Sequence, residues 1–520
     1  MRCRWILGGA AIVGLLLLPG GARAAQGPER YFVIEVVDKD TGRGVPLVEL
    51  KTVNEVRYVT DSAGLVAFHE PGLMDRDVFF HVSSHGYEFP KDGFGYRGTR
   101  LRTTPGGTAR LAVQRLNIAE RLYRVTGQGI YRDSVLAGRR PPTRDPVLSG
   151  GVLGQDSVFG VPYRGKLYWF WGDTNRASYP LGQFATSGAT SELPDRGGLD
   201  PAVGVDLTYV VGDDGFSRKM APLPKAGMVW LDGLVTVADE SGRERLVAHY
   251  SLMKSLSERL EHGLMVYNDE KEVFEPLVRL ADDVRLHPEG QATRVTVGDQ
   301  AYSYFAQPYP FVRVKADWKS LLDPAAYEAF TCLAAGSGFD KNAPALDRDA
   351  AGRLVWGWKR DTAAVNVDRH HELVAAGKIA SGEVWMDLRD AQGGKPVRAH
   401  RGSVRWNAYR GRWIMIFCQF WGTSALGEIW YAEADAPEGP WRTARKIVTH
   451  DTYSFYNPVH HPFFDQQGGR IIYFEGTYTQ AFSGATVPTP RYDYNQIMYR
   501  LDLSAPRLAL PASPPGGKGS

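Results

Sequence analysis

Cysteine is nearly absent. Three Cys in 520 residues, one of them Cys3 close to the start, exclude the disulfide-dense scaffold of small exported modules. Cys332 and Cys418 remain, and bridging or staying as two buried thiols are both open to them. An excess of charge of one sign is also lacking. Sixty-one Lys and Arg stand against 58 Asp and Glu, a formal charge of +3, so the overall balance offers no polyanion-binding field and argues against a nucleic-acid partner. Beyond the first two dozen residues no charge-free apolar run approaches the roughly 20 residues that a spanning helix needs. Local catalytic signatures are missing too: there is no Gly-x-Ser-x-Gly, His-Glu-x-x-His, Cys-x-x-Cys or phosphate-cradling glycine loop. That disfavours the lipase-like, zincin and nucleotide-binding classes. What is present is 43% hydrophobic residues, 58 Gly, 32 Pro and 12% aromatics, a mixture that excludes disorder and favours many short strands joined by tight turns.

The first residues read as an address. Arg2 and Arg4 precede an apolar run from Trp5 to Leu18, Pro19 and Gly20 break it, and Ala22-Arg23-Ala24 supplies a small-x-small cleavage pattern. Residues 1–24 are therefore expected to be a signal peptide, with the mature chain secreted or periplasmic and without a membrane association after cleavage. From Tyr31, β-rich runs alternate with turn clusters at Gly42, Gly44, Asp61 and Gly64. Asp38-x-x-Thr41-Gly42-x-Gly44-Val45-Pro46, then Thr60-Asp61-x-x-Gly64-x-x-x-Phe68 and His85-Gly86-Tyr87, resemble the carboxypeptidase-regulatory-like β-sandwich. The resemblance covers residues 31–116 and implies a small non-catalytic module, either a rigid spacer or a contact for carbohydrate or another partner.

From about residue 147 one unit recurs: a strand opening with a polar residue, a turn, then a Gly-basic pair leading into an aromatic-rich strand. Copies begin at Gln155-Asp156-Ser157, Leu231-Asp232-Gly233, Glu289-Gly290-Gln291, Gly402-Ser403-Val404 and His460-His461-Pro462. Five such sheets arranged radially make a five-bladed β-propeller over residues 147–505, with 506–520 as a flexible tail. The fold class is thus all-β, a propeller preceded by a small β-sandwich. Helix-like patterns in 317–351 and 361–379, such as Asp323-Pro324-Ala325-Ala326-Tyr327-Glu328-Ala329-Phe330, read as short helical insertions over one face.

In a propeller the polar residue that opens each innermost strand projects into a shared funnel. The first three openings supply Asp156, Asp232 and Glu289, and converging acids are what glycoside hydrolysis uses. Asp156-Ser157-Val158 followed by Gly165-Lys166-Leu167-Tyr168 resembles the first blade of the five-bladed propeller glycosidases of the arabinanase and β-xylosidase group. That resemblance implies Asp156 as general base, Asp232 as pKa modulator and Glu289 as general acid, with inversion at the anomeric carbon. The second and third openings depart from the Asp-Pro dipeptide usual in the group. Trp171-Gly172-Asp173-Thr174 also resembles the Phe-Gly-Asp-Thr segment of the propeller family that includes bacterial endo-D-arabinanases, which implies an Asp156/Asp173 acid–base pair. Glu433 to Trp441 resembles an outer-strand turn of these propellers.

A carbohydrate substrate is the expected partner. Asn457, His460, His461 and Glu475 lie near the fifth opening as candidate sugar contacts. Arg294, Arg360 and Arg401 are candidates for binding a carboxylate or phosphate, and Trp169, Trp171, Trp406, Trp421 and Tyr478 offer faces for ring stacking. No metal site or cofactor is assigned; structural calcium is compatible with the architecture, but no contiguous oxygen-ligand loop marks it. Two other classes stay open: a non-catalytic carbohydrate-binding or scaffold propeller, and a lyase acting on uronate-containing glycans.

Overall fold

The structure, a computed structural model, describes residues 27–511; the expected signal peptide lies outside them. Residues 32–115 fold as two four-stranded sheets. One holds Leu65–Phe68, Phe32–Asp38, Thr108–Arg115 and Tyr87–Glu88 in that order, the other Arg57–Val59, Glu49–Thr52, Asp77–Ser83 and Gly98–Arg102. Alternation along the strands turns Ile34, Val36, Leu50, Val66, Phe68, Phe80 and Val82 into one shared core.

Among the described residues six further sheets follow: a small three-stranded one of Val152–Gln155, Thr174–Arg176 and Tyr179–Gln183, and five larger ones, first to fifth in chain order. The first runs Phe159–Tyr163, Lys166–Trp171, Ser187–Glu192, Thr208–Tyr209, and the second Met228–Ala238, Glu244–Met253, Arg259–Asn268, Val273–Arg279. The third comprises Gln291–Val297, Gln300–Ala306, Pro310–Lys315, Glu328–Thr331 and Gly357–Arg360. The fourth comprises Ala399–Asn407, Arg412–Gln419, Ile429–Ala434 and Trp441–Val448, with Met386–Asp390 added in parallel at its edge. The fifth comprises Ser454–His460, Ile471–Thr479, Asn495–Asp502 and, as its outer strand, Glu120–Arg124 from before the first sheet. From the first sheet to the fifth, each sheet's opening strand packs beside the opening strand of the next, and apolar layers fill the spaces between sheets. Hydrogen bonds lead from the fifth sheet to the segment just ahead of the first: Asn457 Nδ2 donates to Ser157 Oγ at 2.7 Å, and Gln496 Nε2 to the Gln155 carbonyl at 3.2 Å.

Three sequence expectations change. Asp323 does start a helical turn, its carboxylate accepting from the Ala325 amide at 3.0 Å, but the turn ends at Ala326 and Glu328–Thr331 is a strand. Buried Ala329 and Phe330 belong to the core between sheets, and this burial outweighs the helix preference of the alanines. Residues 506–511 are not a free tail: Leu508 is buried and the Ala509 carbonyl accepts from Arg445 Nη2 at 2.6 Å. The main body also begins before residue 147, because Glu120–Arg124 completes its last sheet. Of the expected insertions, Val367–Ala375 is a helix, capped by Asn366. Cys332 and Cys418 are separate buried thiols in different cores.

Candidate active site

Where the opening strands meet lies a cavity of about 950 Å³. Its polar floor begins at a kink. After Val152–Gln155 the chain bends through Asp156 and Ser157, the latter at φ +55°, before Phe159–Tyr163 departs into another sheet. The bend leaves Asp156 between the two segments. One carboxylate oxygen, Oδ1, accepts the Asp173 amide at 2.9 Å, and Oδ2 accepts the Tyr456 hydroxyl at 2.8 Å. The Tyr494 and Ser157 hydroxyls add to the same lowering pull on it. Burial pushes the Asp156 carboxyl up from its ordinary value, and these donors pull it partly back.

Asp173 follows Gly172 on the adjoining turn and lines the same cavity. Its Oδ1 is buried without a hydrogen-bond partner among the described residues. Burial first, then the neighbouring Asp156 charge, push it up to about 7. Gly172 is required here, because a Cβ would stand 2.3 Å from Asp156 Oδ1. Two carboxyls in one pocket thus have opposite surroundings: Asp156 is rich in donors and Asp173 is poor in them.

Asp232 reaches the cavity from the second sheet. A bulge interrupts the register just after it, with Gly233 at φ +53°, and its Oδ1 accepts the Gly290 amide at 2.8 Å. Burial pushes it up to about 7; Arg401 opposes the shift and Glu289 adds to it. Glu289 is not part of the cavity wall. With its amide nitrogen toward Glu289, Gln307 donates to Glu289 Oε2 at 2.5 Å and accepts from Arg401 Nε at 2.7 Å and Nη2 at 3.0 Å. Glu289 therefore anchors Gln307 and Arg401, both of which line the cavity.

Asn457 also borders the space. It sits in a bulge at φ +50°, bonded to Ser157, and its buried Oδ1 has no partner among the described residues. Trp171 contributes an edge, but at 1% exposure, held between Trp169 and Tyr209, it presents no face for stacking. His460, His461, Glu475 and Arg294 are not brought here. His461 Nε2 pairs with Glu475 Oε1 at 2.9 Å, fully buried beneath Trp169, and His460 pairs with Asp465 at 2.8 Å. Their strand meets the cavity at Tyr456–Val459 and carries both histidines past it. Arg294 is exposed and lies three residues beyond the cavity end of its strand, roughly 10 Å away.

Residues the sequence reading passed over complete the site. Tyr456 holds Asp156 with Tyr494 beside it, and Phe420 and Phe482 form an apolar rim together with Trp421, already a stacking candidate from the sequence. Phe482 meets the Tyr456 ring edge-on at 5.9 Å. Tyr456 stands next to Asn457 and was within reach of a sequence argument, whereas Tyr494 depends on a positive φ of 60° that no local pattern announces. Among the described residues no three His, Cys, Asp or Glu side chains are grouped to hold a metal ion, and no helix is long and apolar enough to cross a membrane.

No family model matches this chain, and no curated protein matches it in sequence. Solved structures overlap it loosely. An exo-beta-1,3-galactanase from Phanerochaete chrysosporium bound to galactose is 10% identical, with 74% of this chain and 65% of that chain covered and a TM-score of 0.37. The GH43_1 enzyme from Xanthomonas citri complexed with xylose is 13% identical over 71% and 92% of the two chains, TM-score 0.33. An exo-1,5-alpha-L-arabinanase from a bovine ruminal metagenomic library is 10% identical over 67% and 93%, TM-score 0.31. Overlaps this loose decide nothing about the chemistry of this chain.

Proposed function

We propose that this chain is an exported glycoside hydrolase. Its body is a five-bladed β-propeller closed by Glu120–Arg124, residues 31–116 are an accessory β-sandwich, and the cavity at the propeller axis binds the saccharide. The observation that carries this reading is the Asp156/Asp173 pair: two carboxyls in one cavity with donors concentrated on only one of them. Donors favour the ionised form of Asp156, and their absence keeps the proton on Asp173. Asp156 is then the general base and Asp173 the general acid.

In this scheme Asp173 protonates the glycosidic oxygen as the bond to the anomeric carbon breaks. Asp156 takes a proton from the water that attacks the same carbon. Both oxygens of Asp156 already accept hydrogen bonds, which suits proton transfer better than attack on carbon, so the anomeric centre is inverted. Asp232, Arg401 and Gln307 face the sugar from the second to fourth sheets, with Glu289 as their support instead of the acid. Asn457 Oδ1 accepts a sugar hydroxyl. Burial and the adjacent carboxylate push the Tyr456 and Tyr494 phenols up, which speaks against a tyrosine base of the kind a lyase uses.

A panel of plant, algal and microbial polysaccharides, with chromatographic detection of released sugars, tests the reading. Asp156→Asn and Asp173→Asn are each expected to lower turnover about 10²–10⁴-fold while ligand is still bound. Wild-type turnover is expected to fall as pH rises through about 7, where Asp173 loses its proton. Unaltered activity in both variants, or an unsaturated product absorbing in the ultraviolet, refutes the assignment.

A further inference from the structure

The outer face of the second N-terminal sheet carries side chains that a spacer does not need. Along Asp77–Ser83, Val78, Phe80 and Val82 point into the core, which turns Asp77, Phe79 and His81 outward. Register places Phe79 beside Arg100, His81 between Lys51 and Gly98, and Asp77 beside Arg102. The rings form a line. Phe79 and His81 meet edge-on at 5.0 Å, and His81 and Tyr96 at 5.9 Å. Gly98 makes room for this line, since a Cβ there would stand 2.7 Å from the Phe79 ring.

The line ends in a built turn. Asp92 Oδ1 accepts the amides of Phe94 and Tyr96, each at 2.9 Å, and the Asp92 amide donates to the Tyr96 carbonyl at 2.9 Å. This turn holds Tyr96 57% exposed and Phe94 92% exposed. An aromatic ring fixed in water by its own turn gains nothing for folding. The charges on this face are unevenly committed. Lys51 pairs with Glu55 and Arg57 with Glu49, whereas exposed Arg100 and Arg102 have no ion-pair partner among the described residues.

We propose that this face is a second binding site, for a polysaccharide strand that carries carboxylates. Flat sugar faces stack along Phe79, Tyr96 and Phe94, and uronate carboxylates take the uncommitted guanidinium groups of Arg100 and Arg102. A sheet face suits an extended strand, since neither a closed pocket nor bending of the ligand is required. The site is independent of the hydrolase reading and stands or falls separately from it.

The test is calorimetric titration and affinity electrophoresis of the full chain with polygalacturonate. A neutral galactan, anionic phospholipid vesicles and duplex DNA serve as comparisons. Polygalacturonate is expected to bind best, and added salt to weaken it. Arg100→Gln with Arg102→Gln is expected to weaken binding about tenfold and erase the preference over neutral galactan, and Phe94→Ala with Tyr96→Ala about tenfold for both polymers. Thermal unfolding of these exposed-site variants should match the wild type, which separates lost binding from lost fold. Absence of polygalacturonate binding, wild-type binding by both double variants, or stronger retention on vesicles or DNA overturns the proposal.

Discussion

Asp232 is a carboxyl that the fold prefers protonated. Its ordinary value is 3.8 and burial lifts it to about 7, so the folded state keeps a proton that the unfolded chain has already released. The associated stability is complete below the unfolded value and is lost as pH rises from about 4 to about 7. Asn in its place keeps the acceptor for the Gly290 amide and removes the ionisation. Asp232→Asn is therefore expected to be more stable than the wild type by about 2–4 kcal/mol at neutral to alkaline pH, with the gap closing below about pH 4. Urea unfolding of both proteins across that range checks it; equal stability at all pH values would show that Arg401 fully offsets the buried charge. Asp173 has the same sign of shift. Carboxyls that lower stability when ionised while lining a cavity fit a site selected for chemistry instead of packing.

At the level of the element, what placed the acids was partly legible. Asp156 and Asp232 could be found from strand openings repeated along the chain, and Asp173 only from the resemblance of Trp171-Gly172-Asp173-Thr174 to the Phe-Gly-Asp-Thr segment. The donors around them could not. Ser157, Asn457 and Tyr494 depend on single residues at positive φ, and side-chain type alone does not reveal where the backbone adopts that conformation. His460 and His461 stand near the fifth opening in sequence, but the strand meets the cavity at its bulge, Tyr456 to Val459, and the histidines lie beyond it. The closing strand Glu120–Arg124 pairs with residues near 500, a partnership with no local signal. Glu289 shows the reverse: it precedes a strand in the expected place, but its carboxylate bonds Gln307 and it is not among the residues that line the cavity. Gly172 tests how tightly the turn is built. Gly172→Ala puts a methyl 2.3 Å from Asp156 Oδ1, so the carboxylate has to shift. Turnover is expected to fall about 10²-fold, through kcat more than KM, with the unfolding midpoint nearly unchanged. Loss of folding instead would mean that the turn matters to the sheet before it matters to the site.

At the scale of the whole molecule, the two N-terminal sheets are joined to the sheets that follow by polar contacts made in a dry interface. Arg121 lies on the strand that closes the fifth sheet and is 1% exposed. Its guanidinium donates to the carbonyls of Pro46, His85 and Leu47 at 3.1, 3.0 and 3.4 Å and lies over the Tyr87 ring at 5.0 Å. Around it, the Tyr492 hydroxyl donates to the Thr60 carbonyl at 2.6 Å, and Asp61 Oδ2 accepts the Ser134 amide at 2.6 Å. The strand bearing Arg121 thus completes the fifth sheet on one side and holds three carbonyls of the N-terminal sheets on the other, coupling the two parts as they unfold. A single unfolding transition follows for the wild type. Arg121→Met fills much of the same volume but leaves the Pro46 and His85 carbonyls without their donor, at a cost of about 2–4 kcal/mol. Calorimetry of the variant is expected to split the transition, with the N-terminal sheets melting first. An unsplit, unshifted transition would mean that the apolar contacts of Leu47 and Val59 with the body already suffice to couple the two.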